Sequence, residues 1–82
     1  HIYALDKQKQ IKATYDPYTH CIEFENDILF ERMVIHDIMG HQIISSYMTF
    51  GQLNCTLVPG VYTLFGMSTH GIPYLGKITV AY

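Results

Sequence analysis

Apolar residues recur with period two along the first half of the chain: Ile11, Ala13 and Tyr15 in "IKATYD", then Ile22 and Phe24 in "HCIEFEN", with polar or charged residues between them. A pleated strand sends successive side chains to opposite faces, so this alternation predicts strands half-buried against a core. "ERMVIHDI" differs in being apolar on both faces, with Met33 and Ile35 on one and Val34 and Ile38 on the other. That pattern predicts a central strand of a covered sheet. "HQIISSYMT", "QLNCTL", "VYTLFGMST" and "YLGKITVAY" follow, rich in β-branched and aromatic residues and separated by Gly, Pro, Asn or His-Gly.

Seven short strands punctuated by turn signals predict an all-β fold, a small antiparallel sandwich rather than alternating βαβ units. Only "DILFERMV", around Ile28, is compatible with a helical turn. The expected organisation is one β-sandwich domain over residues 11–82, with residues 1–10, "HIYALDKQKQ", as a linker or an added edge segment.

Turn chemistry sharpens the middle of the chain. Asp37-Ile38-Met39-Gly40 carries Asp first and Gly fourth, the preference of a type I turn, because the Asp side chain accepts from turn amides and Gly tolerates positive φ. The turn predicts a hairpin with His36 and His41 as near cross-strand partners, their proximity explained without a metal. A zinc site needs three or four converging ligands, and Asp37 would have to leave the turn to supply a third. Pro59-Gly60 ahead of "VYTLFG" predicts a tight turn delivering Tyr62 to a sheet. Both Val61/Thr63/Phe65 and Tyr62/Leu64/Gly66 qualify as its buried face, and Gly66 in mid-strand signals a bulge or a close approach by a large side chain.

Composition narrows the functional classes. With 82 residues, 49% of them hydrophobic and 15% charged, the chain suits a packed domain with little room for both a core and a buried active site. Net charge is −2, and four lysines and one arginine are scattered along the sequence, so no basic stripe is available for phosphates and nucleic acid is not an expected partner. Apolar runs fall well short of the roughly 20 residues of a membrane-spanning helix.

No catalytic set emerges. Ser45, Ser46 and Ser68 lie on or near strands without an elbow or oxyanion signature, Glu23 and Glu25 share the polar face of one strand, and no glycine-rich phosphate loop is present. The expectation is a non-enzymatic domain with no cofactor and no metal. His20 and His70 read as surface groups. Cys55 alternates with Leu53 and Leu57 and is expected to face the core, whereas Cys21, out of phase with Ile22 and Phe24, is expected to face away, which disfavours a bridge between them.

The order of these features, "MVIHDIMGHQI", a polar strand, "LVPGVYTLFG", the turn "STHG" and then "GKITV", resembles the C-terminal sorting domain of the type IX secretion system over about residues 20 to 82. Asp37, Gly40, Pro59, Gly60, Tyr62, Gly76 and Lys77 fall on the positions that carry the resemblance. It implies an immunoglobulin-like β-sandwich that directs export to the cell surface, passing through the periplasm, with the outer-membrane secretion machinery as partner. The layout is also similar to small stand-alone secreted β-sandwich proteins of the same bacterial lineage. That resemblance assigns no ligand; the alternative expectation, an extracellular or periplasmic module binding a surface protein or glycan, rests on the seven tyrosines, with no tryptophan for sugar stacking.

Overall fold

The computed structural model describes residues 9–82, and these form eight strands with no helix. The strands are β1 (Lys9–Gln10), β2 (Ala13–Asp16), β3 (Cys21–Phe24), β4 (Phe30–Asp37), β5 (Gln42–Thr49), β6 (Gln52–Asn54), β7 (Gly60–Ser68) and β8 (Pro73–Val80). They build a five-stranded sheet, β1-β8-β7-β4-β5, facing a three-stranded sheet, β2-β3-β6. All pairs are antiparallel except β1 with β8. With β7 between β4 and β8 in one sheet and β3 beside β6 in the other, the strand order is that of an immunoglobulin-like sandwich.

The core lies between the sheets. Phe30, Met33 and Ile35 from β4, Ile22 from β3, Leu57 from the β6–β7 connection and Leu64 from β7 are its largest fully buried side chains. Alternation places Ile22 and Phe24 in "CIEF" and Met33 and Ile35 in "FERMVI" on the core side, whereas Phe30, out of phase with Met33, reaches the same side through a register shift between Phe30 and Arg32. In β7 the face left open by the sequence is decided in favour of Tyr62, Leu64, Gly66 and Ser68, all buried. Val34 points the other way yet is also buried, because β4 is flanked on both sides by β5 and β7. Ile38, expected on the Val34 face of the strand, instead sits beyond the strand end in the hairpin turn and is exposed.

The N-terminal strand changes sheets. Lys9–Gln10 pair with Tyr74 and Leu75 of β8, and two residues later the chain joins β3 as β2. The change of partner leaves the Gln10 carbonyl and the Lys12 amide outside either ladder, open to a side-chain partner. Asn26 is that partner, from the opposite loop: its Oδ1 accepts from the Lys12 amide at 2.8 Å and its Nδ2 donates to the Gln10 carbonyl at 3.0 Å. The Ile11 amide donates to the Leu75 carbonyl at 2.7 Å, drawing Ile11 down onto β8. Lys9 and Gln10 are therefore an edge strand, while the rest of the expected N-terminal linker, residues 1–8, lies outside the described residues.

Candidate functional site

The β4–β5 hairpin closes as its sequence predicts. The Gly40 amide donates to the Asp37 carbonyl at 3.0 Å, the Asp37 amide to the His41 carbonyl at 2.9 Å, and Gly40 takes φ 88°. The Asp37 side chain completes the turn: Oδ1 accepts from the amides of Met39 and His41, each at 2.9 Å. The His41 amide is the main cause holding the Asp37 carboxyl below the ordinary aspartate range. His41 Nδ1 lies 3.3 Å from Asp37 Oδ2. The expected pairing of His36 with His41 does not form. An extra residue in β5, between Ile35 and His36 of β4, makes Gln42 the partner of His36. Among the described residues no group of three or more metal-ligating side chains converges.

A carboxylate with a depressed folded-state pKa contributes its full stabilisation above its unfolded value near pH 4 and loses it as pH falls from there through the lower folded-state pKa. The hairpin tip is therefore expected to loosen on acidification, seen as faster amide exchange at Met39 and His41. Asp37→Asn keeps an oxygen acceptor for both amides but cannot be protonated in that range, and its exchange rates should lack the acid step. An acid step surviving in the variant would assign it to another group.

The Pro59-Gly60 segment delivers Tyr62 to the start of β7, where its buried ring stands in the core and its hydroxyl donates to the Val58 carbonyl at 2.7 Å. This is the tyrosine corner of immunoglobulin-like sandwiches. Two further tyrosines converge on the same connection. The Tyr15 hydroxyl donates to the Cys55 carbonyl and accepts from the Leu57 amide, both at 3.0 Å, and the Tyr82 hydroxyl bonds the Leu57 carbonyl. Loss of solvent around the Tyr82 hydroxyl, reinforced by Tyr15, raises its pKa. Only Tyr62 was marked by a turn motif; Tyr15 lies 40 and 42 residues from its partners and Tyr82 lies 25 from its own, and no local pattern announces them.

The segments singled out from the sequence meet at one end of the five-stranded sheet. Asp37 pairs with Tyr62, and Tyr62 with Ile78. One row inward, His36 pairs with Thr63, and Thr63 with Lys77. Gly76 sits opposite Leu64, and Gly60 opposite Val80. Lys77 is exposed on the outer face, Gly40 is exposed at the hairpin tip, and Pro59 is exposed in the turn.

That outer face continues as cross-strand rows. Ser45, Val34, Phe65 and Leu75 form one, and Tyr47, Arg32, Met67 and Pro73 the next. Arg32 lies over the Tyr47 ring, 5.5 Å from its centroid. Phe65 and Met67 are partly exposed, Leu75 and Tyr47 more so. The strand residues of these rows include Arg32, His36 and Lys77 but no carboxylate. The other outer face, built by Thr14, Asp16, Glu23, Gln52 and Asn54, is polar and carries acids.

Two of the three serines named from the sequence, Ser46 and Ser68, have structural partners. Ser68 is buried and its Oγ accepts from the amides of His70 and Ile72, capping the β7–β8 turn. Ser46 Oγ accepts from buried Thr49 at 3.3 Å. Glu23 and Glu25 are exposed, as their alternation predicts. Cys55 is buried as expected, and burial pushes its thiol pKa up. Cys21 faces away from Ile22 but is buried too, against the expectation of an exposed thiol. The β3–β6 register places Cys21 opposite Asn54, so the adjacent Cys55 falls on the other face of the sheet. No family model, no curated protein and no solved structure matches this chain.

Proposed function

We propose that the chain is a non-enzymatic export-sorting domain of the type IX kind, acting by surface recognition at the outer membrane and reaching the cell surface through the periplasm. The observation that carries this reading is the convergence of its motif segments. Asp37 closes a hairpin, Tyr62 makes a corner and Gly76 admits Ile11, so these three serve the fold itself. Lys77 stands on the strand next to Tyr62 with its side chain exposed, free to be read by another protein.

The test is export of a secreted reporter carrying this domain at its C-terminus in a type IX-competent bacterium, followed by fractionation into periplasm, surface and medium. The wild-type fusion is expected at the surface or in the medium. Lys77→Glu, at an exposed position of β8, is expected to hold the reporter in the periplasm at unchanged melting temperature. A wild-type fusion that stays in the periplasm would sink the reading.

The exposed apolar face around Tyr47, Phe65 and Leu75 favours a second reading, a stand-alone extracellular or periplasmic module binding a surface protein or glycan. Retention of a surface glycan or protein by the wild-type domain but not by Tyr47→Ala would support it. No difference between the two proteins would remove this face as the contact.

A further inference from the structure

Among the described residues β5 has a hydrogen-bonded neighbour on one side only, and its other side is a free edge of the five-stranded sheet. The remaining edges are short: two residues in β1, four in β2 and three in β6, against eight in β5. Natural edges are blunted by charges and proline. Gln42–Thr49, "QIISSYMT", contains neither. It also concentrates exposed apolar side chains, with Ile43, Tyr47 and Met48 at 42%, 67% and 59% exposure, followed by Phe50 at 57%. The irregularities it does carry, the extra residue next to Gln42 and Met48 at φ 54°, lie at its two ends and leave Ile44–Tyr47 regular.

We propose that β5 pairs antiparallel with β5 of a second copy of this chain, about a two-fold axis through Ser45, giving one continuous ten-stranded sheet. An extended edge accepts only another extended strand, and this one is complementary to itself. A two-fold axis normal to the sheet keeps outward residues outward, so Ser45 meets Ser45 and Ile44 meets Ser46, while Tyr47 of each copy falls opposite the irregular end of the other strand, where Ile43 is the extra residue. The smallest side chains, Ser45 and Ser46, fall at the crowded centre, where two strands approach most closely. No like charges are brought together, because the strand has none. A pairing of so few residues belongs to the weak interface class, so the dimer is concentration-dependent.

Sedimentation of the intact chain from about 10 μM to about 1 mM should show monomer passing to dimer, the range expected for a weak interface. Ser45→Cys places two thiols across the axis at the spacing of directly opposed strand residues, and mild oxidation should trap a covalent dimer within minutes. Thr56→Cys, exposed and away from this edge, should cross-link at least tenfold more slowly. Ser45→Lys sets two charges at the axis and should shift the dimer midpoint at least tenfold upward while the melting temperature of the monomer holds. A wild-type chain monomeric at every concentration, equal cross-linking of the two cysteine variants, or a dimer indifferent to Ser45→Lys would each overturn the proposal.

Discussion

Gly76→Ala is expected to lower stability by about 1–3 kcal/mol, the range for forced overpacking, and at roughly 4–8 °C per kcal/mol in a domain of this size the loss is easily seen in a melting curve. A Cβ at Gly76 would stand 2.7 Å from both the Cβ and the carbonyl oxygen of Ile11. The obstacle is backbone, held in place by the Ile11 amide bond to Leu75 and by the Asn26 clasp on Gln10 and Lys12. Trimming Ile11 cannot relieve it: Ile11→Ala leaves both the Cβ and the carbonyl, so the double variant should be worse than either single one. Relief requires the sheet-crossing segment to lift from β8, and amide exchange at Ile11 and Glu25, whose amide donates to Lys12, should rise with it. A melting temperature within a degree of the parent would show that this crossing yields freely.

Gly66→Ala is expected to cost a similar amount, about 1–3 kcal/mol, with the opposite response to trimming. Here the added methyl meets side chains, Phe30 Cδ1 at 2.6 Å, Phe30 Cε1 at 2.8 Å and Met33 Cε at 2.9 Å. Phe30 is fully buried and cannot swing aside, being tilted against Phe24 at 5.9 Å between ring centroids and edge-on to Tyr74 at 5.4 Å. Phe30→Leu alone opens space and destabilises; in the Gly66→Ala background it should recover part of the loss, giving a coupling energy of about 1 kcal/mol in urea unfolding. Additive effects of the two substitutions would mean that the core absorbs the methyl without moving the ring. The two glycines thus separate by what confronts them, a side chain that can be shortened or a backbone that cannot.

Most of the positions carrying the family resemblance serve the fold of this chain, closing its hairpin, turning its corner and admitting the sheet-crossing segment. Asp37 and Gly40 were legible because a type I turn is local, its donors and acceptors lying within five residues. The bond from Tyr62 to Val58 spans four residues and follows from the Pro-Gly turn, though its hydroxyl target was not predictable without the fold. Lys77 is the exception, an exposed side chain without such a task, and recognition of this domain is proposed to rest on it.

What the sequence by itself determined is the local part: an all-β chain, because period-two alternation in β2 and β3 and short β-branched and aromatic runs elsewhere mark strands, and the places where it turns, because Asp, Gly and Pro select backbone angles within a few residues. Strand pairing joins residues far apart in sequence, and only the tertiary structure decided its consequences. It chose Tyr62, Leu64 and Gly66 over an equally apolar opposite face, since Phe30 needed the space that Gly66 leaves. It buried Cys21 on the side of β3 away from Ile22, paired His36 with Gln42 through one extra residue, and made Lys9–Gln10 an edge strand. Each depends on which neighbour lies across a sheet or a core, and alternation within one strand contains no information about that neighbour.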